Sequence, residues 1–257
     1  MQCERTCYPA ALRHHAPCSP LDEHVPATQD IWVEMAALSA DAEAIFLQSL
    51  ASLQDEALEG LDSYSAEVIA KKLVQSEEVY VKQVLGTIVT QFYKRLAVKD
   101  VGIPLDEVHS LFRSIVAIHE LNKELLSGFQ TAFFADVSLV QVVLIQFQKI
   151  TPFLKVYAQY ISDQTVLYEK LVQAKKSKKF LKFLKTNELA IGVRLSTLLL
   201  YPQRRLPQYL IYIGAMSAVM DESSKLYSDL AEVLRNLTTI TMRLQRSCKI
   251  TIPGLWL

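Results

Sequence analysis

The sequence predicts an all-α protein, and three observations carry that prediction. The 257 residues hold only seven Gly and nine Pro, about half the share usual in globular chains, which disfavours a turn-rich β architecture. Apolar residues recur at three- and four-residue steps along most of the chain, the period of a helix face. The length suffices for one large domain with a real core.

Residues 1–38 carry Pro, Cys and His with little periodicity and are expected to be a disordered tail. Residues 39–62 read as an acidic amphipathic helix. Phe46, Leu50, Leu53, Ala57 and Leu61 follow helical spacing, Asp41 can cap the start, and Gly60 stands where helices often end. The apolar stripe has to lie on something, either the main domain or a partner surface. A longer helix comes next over residues 65–97, striped by Ile69, Leu73, Tyr80, Val81, Val84, Leu85, Ile88 and Phe92. Glu77 interrupts that stripe, four residues after Leu73 and three before Tyr80. An unpaired buried carboxylate is costly. Glu77 therefore either meets a basic residue inside the fold or lies in a groove awaiting a partner's donors.

Gly102 and Pro104 place a loop at residues 99–104, and Leu111, Phe112, Ile115, Ile118, Leu121, Leu125 and Leu126 stripe the next helix. Within it His119 and Asn122 read as surface or buried hydrogen-bonding groups rather than ligands. Helices are expected over residues 137–160 and 165–185, with ISDQ, residues 161–164, as the break between them. Lys175, Lys176, Lys178 and Lys179 open a basic amphipathic stretch, either a solvated face or a membrane-surface contact. Residues 195–220 are apolar at helical spacing but contain Pro202, Pro207, Arg204 and Arg205. Pro202 predicts a kink or a fresh helix start, and Pro207 a second bend, which would aim Arg204, Arg205 and Gln208 outward. The alternative is a core helix whose arginines reach solvent. Residues 227–246 continue helically, and the tail, 248–257, has a strand-like end.

The net charge of zero hides a division. Between His14 and Ala70 stand eleven acids and no Lys or Arg; from Lys71 onward there are twenty-five Lys and Arg against fifteen acids, a balance of +10. An acidic leader could fold back on such a body, or the body could favour an acidic protein or an anionic membrane. No apolar run reaches the ~20 residues of a membrane span, and the first twenty residues lack the apolar centre of a secretory signal. The expectation is a soluble, cytoplasmic protein with reduced thiols. Cys3, Cys7, His14 or His15, and Cys18 do not have the spacing of paired zinc ligands. The glycines are isolated, so no phosphate-binding loop can be built, and H-E-x-x-H, C-x-x-C and G-x-S-x-G are absent. No cofactor, metal or nucleic-acid partner is called for, and an interaction module is favoured over a hydrolase or transferase.

Three segments in order resemble the Dbl homology domain of guanine nucleotide exchange factors for Rho-family GTPases. LVQSEEVYVKQV, residues 73–84, is similar to the family's first region, with its Ser or Thr, Glu, Tyr and Val. LFRSIVAIHELNKELL, residues 111–126, resembles the second, and LLLYPQRRLPQYLIYI, residues 198–213, the third. PFLKVYAQYI and KKFLKFLK resemble connecting helices, and the match spans residues 63–247. The resemblance implies an elongated bundle of about six long helices, with the first and third regions forming the GTPase-binding face. It implies that Glu77 engages switch I, with Tyr80, Arg205, Gln208 and Gln245 shaping that face. Gln208 stands where the family usually has a basic residue, Gln245 near a usual Asn, and Arg204 where Gln is common. Arg205 matches. The family's usual companion, a pleckstrin homology domain, is not in the chain, so recruitment to membranes is expected from elsewhere or the chain is a partial product.

The expected function is nucleotide exchange on a Rho-family GTPase, with no bond made or broken and the nucleotide held by the partner. Exchange of this kind is driven by preferential binding of the nucleotide-free state. The rival is an exchange-inactive Dbl-like scaffold, motivated by Gln208, Gln245 and the missing companion domain.

Overall fold

A computed structural model describes the backbone of residues 40–131 and 137–248, and the side chains of these except residues 40 and 245–248. The expected tails, the N-terminal Cys and His residues and the side chain of Gln245 lie outside the described residues. Among those described, every regular element is helical.

Helix α1, Ala40–Ser49, is shorter than its apolar stripe suggested. It gives way to three 3-10 turns, Ala51–Leu53, Asp55–Leu58 and Leu61–Ser63. Gln54 and Glu59 are extended and Gly60 is left-handed at φ 63°. These breaks fold the stretch onto the body, and Leu50, Leu53 and Leu61 are all buried. Full burial of each such side chain is worth about 1.5–3 kcal/mol.

Helix α2, residues 66–98, is unbroken but not uniform. Regular α-helix over Ala66–Val79 passes through π-helical turns at Tyr80–Leu85 and Ile88–Tyr93 and recovers at Lys94–Val98. Each π turn takes one residue more than an α turn and rotates the remainder of the helix, which keeps Tyr80, Val84, Ile88 and Phe92 all in the core. The Thr90 hydroxyl donates to the Gly86 carbonyl within this wide stretch.

Helix α3 is Leu105–Thr131, α4 Leu139–Ile150, α5 Lys155–Ala174 and α6 Lys178–Ile191. The break expected at ISDQ is absent. Ile161 and Gln164 are buried while Ser162 faces solvent, so these residues simply continue the amphipathic pattern of α5. The real interruptions are the 3-10 turn Thr151–Phe153, where Pro152 starts a new turn, and residues 175–177. Ser177 then caps α6 through the Phe180 N–H and donates its hydroxyl to the Val101 carbonyl, pinning α6 to the loop that follows α2.

Gly192, left-handed at φ 85°, closes α6. After a single turn, Leu195–Leu198, helix α7 runs Tyr201–Ala218 and α8 Lys225–Cys248. Pro202 lies in the first turn of α7, as a fresh start requires, whereas Pro207 sits inside a continuous helix. Helix α7 packs against α2 and α8, and α3 against α4 and α5.

Candidate functional site

The crossing of α2 and α7 gathers the polar residues that an apolar core would otherwise exclude. On α7, Arg205, Gln208 and Tyr209 lie one turn apart on the same face, and that face meets Ser76, Glu77 and Tyr80 of α2. The second of the two readings of Pro202 and Pro207 is thus closer to the outcome, and the outward aim is corrected. Arg205 is 1% exposed and Gln208 4%, because the helix continues through Pro207 and turns this face inward.

Glu77 is fully buried and paired. Its Oε2 accepts from Arg205 Nη2 at 2.6 Å and Nε at 3.2 Å, and the Tyr209 hydroxyl lies 2.7 Å away. The same hydroxyl is 2.8 Å from Asn122 Oδ1 on α3, so one proton is shared between two acceptors. Asn122 donates to the Ile118 carbonyl and to the Tyr157 hydroxyl, which in turn reaches the hydroxyl of Tyr80. Arg205 also donates to Ser76 Oγ, at 3.1 Å, and to Gln208 Oε1, at 3.0 Å. Its guanidinium carbon lies 5.1 Å from the Tyr80 ring centre and 4.6 Å from that of Tyr209, a cation held between two π faces. Gln208 Nε2 donates to the Leu53 carbonyl at 2.9 Å, tying the network to the folded-back N-terminal segment.

Of the two sequence-level readings of Glu77, internal pairing is therefore the one seen, and the open groove is not. Glu77 Oε1 is buried without a hydrogen-bond partner among the described residues. Burial opposes the charge of Arg205, but the Tyr209 and Glu77 oxygens outweigh it, and its pKa lies above the ordinary arginine value. Burial pushes the Tyr209 and Tyr157 hydroxyls up, and the Glu77 charge adds to the effect. Burial also raises Tyr80. All three remain neutral hydroxyls, Tyr209 and Tyr157 donating and Tyr80 accepting from Tyr157.

The structure brings together Glu77, Tyr80, Arg205 and Gln208, four of the five expected site residues, and presents none of them on the surface. Residues 50–63 cover the place. Leu50, Leu53 and Leu61 are buried there, Gln54 donates to the Tyr201 hydroxyl at 3.3 Å, and Glu43 of α1 accepts from Thr197 at 2.7 Å beside Arg194. Sequence reasoning missed the contribution of Ser76, Tyr157 and the Leu53 carbonyl. Tyr157 could have been found as a polar-tipped aromatic within an apolar stripe; a backbone carbonyl leaves no mark in a sequence. One member of the basic stretch is corrected: Lys175 is buried, where burial lowers its pKa and Glu188 partly restores it, whereas Lys176, Lys178 and Lys179 are exposed, Lys179 while paired with Asp100.

The network couples no nucleophile to a base, so it is suited to holding shape rather than to making bonds. The RhoGEF domain model matches residues 69–245, and the chain belongs to that family. Over 177 residues it is 25% identical to the guanine exchange factor for Rac 30 of Dictyostelium discoideum, covering 69% of this chain and 11% of that protein's length. Among solved structures it is similar to the DH domain of FARP2, with 22% identity, a TM-score of 0.59 and coverage of 72% of this chain and 89% of that one. It is also similar to the PDZ-RhoGEF DH/PH domains in complex with GTP-gamma-S activated RhoA, with 16% identity, a TM-score of 0.62 and coverage of 76% and 57%. A third similar structure is autoinhibited Vav1, with 19% identity, a TM-score of 0.64 and coverage of 82% and 38%. The fold is that of DH domains, an all-α helical bundle.

Proposed function

We propose that this chain is a guanine nucleotide exchange factor that binds a Rho-family small GTPase, remodels its switch regions and promotes GDP release. The observation that carries the reading is the junction of the first and third motif regions in one network, Glu77 to Arg205 and Gln208, within a RhoGEF domain. The solved relative bound to RhoA and the Rac exchange factor support a GTPase partner of this class. Residues 40–63 lie over the junction and restrain it. Their attachment is mainly apolar, through Leu50, Leu53 and Leu61, with the 3.6 Å contact of Glu43 to Arg194 as its ion pair among the described residues. The likeness to an autoinhibited relative agrees with this restraint.

Release of fluorescent GDP from a panel of Rho-family GTPases tests both parts, using the full chain and a shortened chain beginning at Ser63. The shortened chain is expected to be the faster at low and at high salt, since screening touches one ion pair and leaves the leucines in place. Equal rates for the two chains count against the restraint; no release from any member of the panel counts against exchange. A second reading, a scaffold that binds without exchanging, is favoured by Gln208, which is neutral where the resemblance implies a cation and is already committed to Arg205 and Leu53. A GTPase that binds the shortened chain without losing GDP faster would establish it.

A further inference from the structure

The far end of α2 and the outer side of α6 form a second, oppositely built place. Residues 94–100 and 176–187 carry eight Lys and Arg against one acid, Asp100, and that acid is engaged by Lys179. The two helices run side by side, joined by the Arg95 to Asn187 hydrogen bond at one end and the Lys179 to Asp100 pair at the other. Between them opens a cleft of about 390 Å³ lined by Arg95, Val98, Lys99, Phe183, Thr186 and Asn187. Lys99 lies over the Phe183 ring at 5.7 Å, and among the described residues Arg95 bonds to the neutral amide of Asn187. Lys182 and Lys185 have no ion pair among the described residues.

Charge alone would describe any solvated face, but this one also displays apolar side chains. Val98, flanking the cleft, is 86% exposed, and Leu189 is 61% exposed on the α6 stripe that holds Lys182 and Thr186. Aliphatic side chains set among unpaired cations suit an interface where the cations meet headgroup phosphates and the apolar tips enter the headgroup and acyl boundary. An acidic protein surface would satisfy the cations and leave Val98 with nothing to gain.

We infer that the α2 end and α6 form a docking surface for an anionic lipid bilayer, centred on Arg95, Val98, Lys99, Lys182 and Lys185. It lies roughly 30 Å along α2 from Glu77, counted at 1.5 Å per residue, so lipid contact leaves the α2 and α7 junction free. The surface adjoins the contact expected from Lys175, Lys176, Lys178 and Lys179, of which Lys175 alone is buried.

The test is co-sedimentation of the full chain with vesicles of phosphatidylcholine alone and with roughly one third phosphatidylserine. Binding is expected only to the anionic vesicles. Each neutralised cation is expected to weaken it about fivefold, so Lys182→Gln with Lys185→Gln loses about 25-fold. The exposed pair Lys149→Gln with Lys155→Gln, away from this surface, is expected to bind as the parent does. Val98→Asn, which leaves charge untouched, should also weaken binding, with an unchanged thermal midpoint to show that the fold is kept. Equal losses in the two Lys pairs would overturn the proposal in favour of diffuse charge. Failure of the full chain to sediment, with binding gained only on removal of residues 1–39, would assign the face to the chain's own acidic segment and overturn the lipid reading.

Discussion

Glu77 and Glu78 are neighbours on one helix, each in an ion pair of nearly the same length, and they could hardly differ more. Glu77 meets Arg205 at 2.6 Å with both side chains at most 1% exposed; Glu78 meets Lys82 at 2.5 Å with 45% and 58% of the side chains in water. The 100° turn between successive residues puts one carboxylate in the core and the other outside. Distance is therefore a poor guide to worth. The exposed pair is screened and held by two flexible side chains, and is worth about 0.3–0.5 kcal/mol. Neither member of the buried pair can be removed without leaving the other charged and dry.

The largest expected effect comes from breaking the buried pair. Glu77→Ala should cost about 3–5 kcal/mol by leaving Arg205 unpaired, which at roughly 2–4 °C per kcal/mol is a drop of about 6–20 °C in thermal midpoint. Replacing both partners, Glu77→Met with Arg205→Met, should recover most of that loss. A thermal melt of the single and double variants checks this; a Glu77→Ala protein as stable as the parent would show that the carboxylate is not needed inside the fold.

Gln208→Lys should cost about 1–3 kcal/mol, since the new ammonium cannot accept from Arg205 and sits beside its charge. The covering segment should loosen at Leu53, and GDP release by the full chain should quicken. The shortened chain from Ser63 separates the causes. A gain in the full chain alone belongs to the loosened cover; a gain in both would mean that the cation contacts the GTPase itself.

The smallest effect sharpens the comparison from the other side. Lys82→Ala should shift stability by less than about 0.5 kcal/mol and only at low salt, where the exposed pair is least screened. A salt-independent loss of more than about 1 kcal/mol, read from urea denaturation, would show that this pair too is part of a dry network.

The long helices were legible because their apolar period is imposed residue by residue, and Glu77 stood out because it violates that period. Asn122 was readable only as a surface or a buried hydrogen-bonding group, and the fold buries it. The sequence by itself thus determined the helical class, the family resemblance, the approximate elements and the presence of an anomalous carboxylate at position 77. It also separated an acidic leader from a basic body. Only the tertiary structure decided where that carboxylate points, because the partner, Arg205, lies 128 residues away and pattern along one helix says nothing of what crosses it. It likewise decided that ISDQ stays inside α5, that Pro207 is accommodated in α7, and that residues 50–63 break into 3-10 turns. Each of these is settled by which face finds apolar neighbours to bury it, and those neighbours come from distant segments whose approach no local window contains.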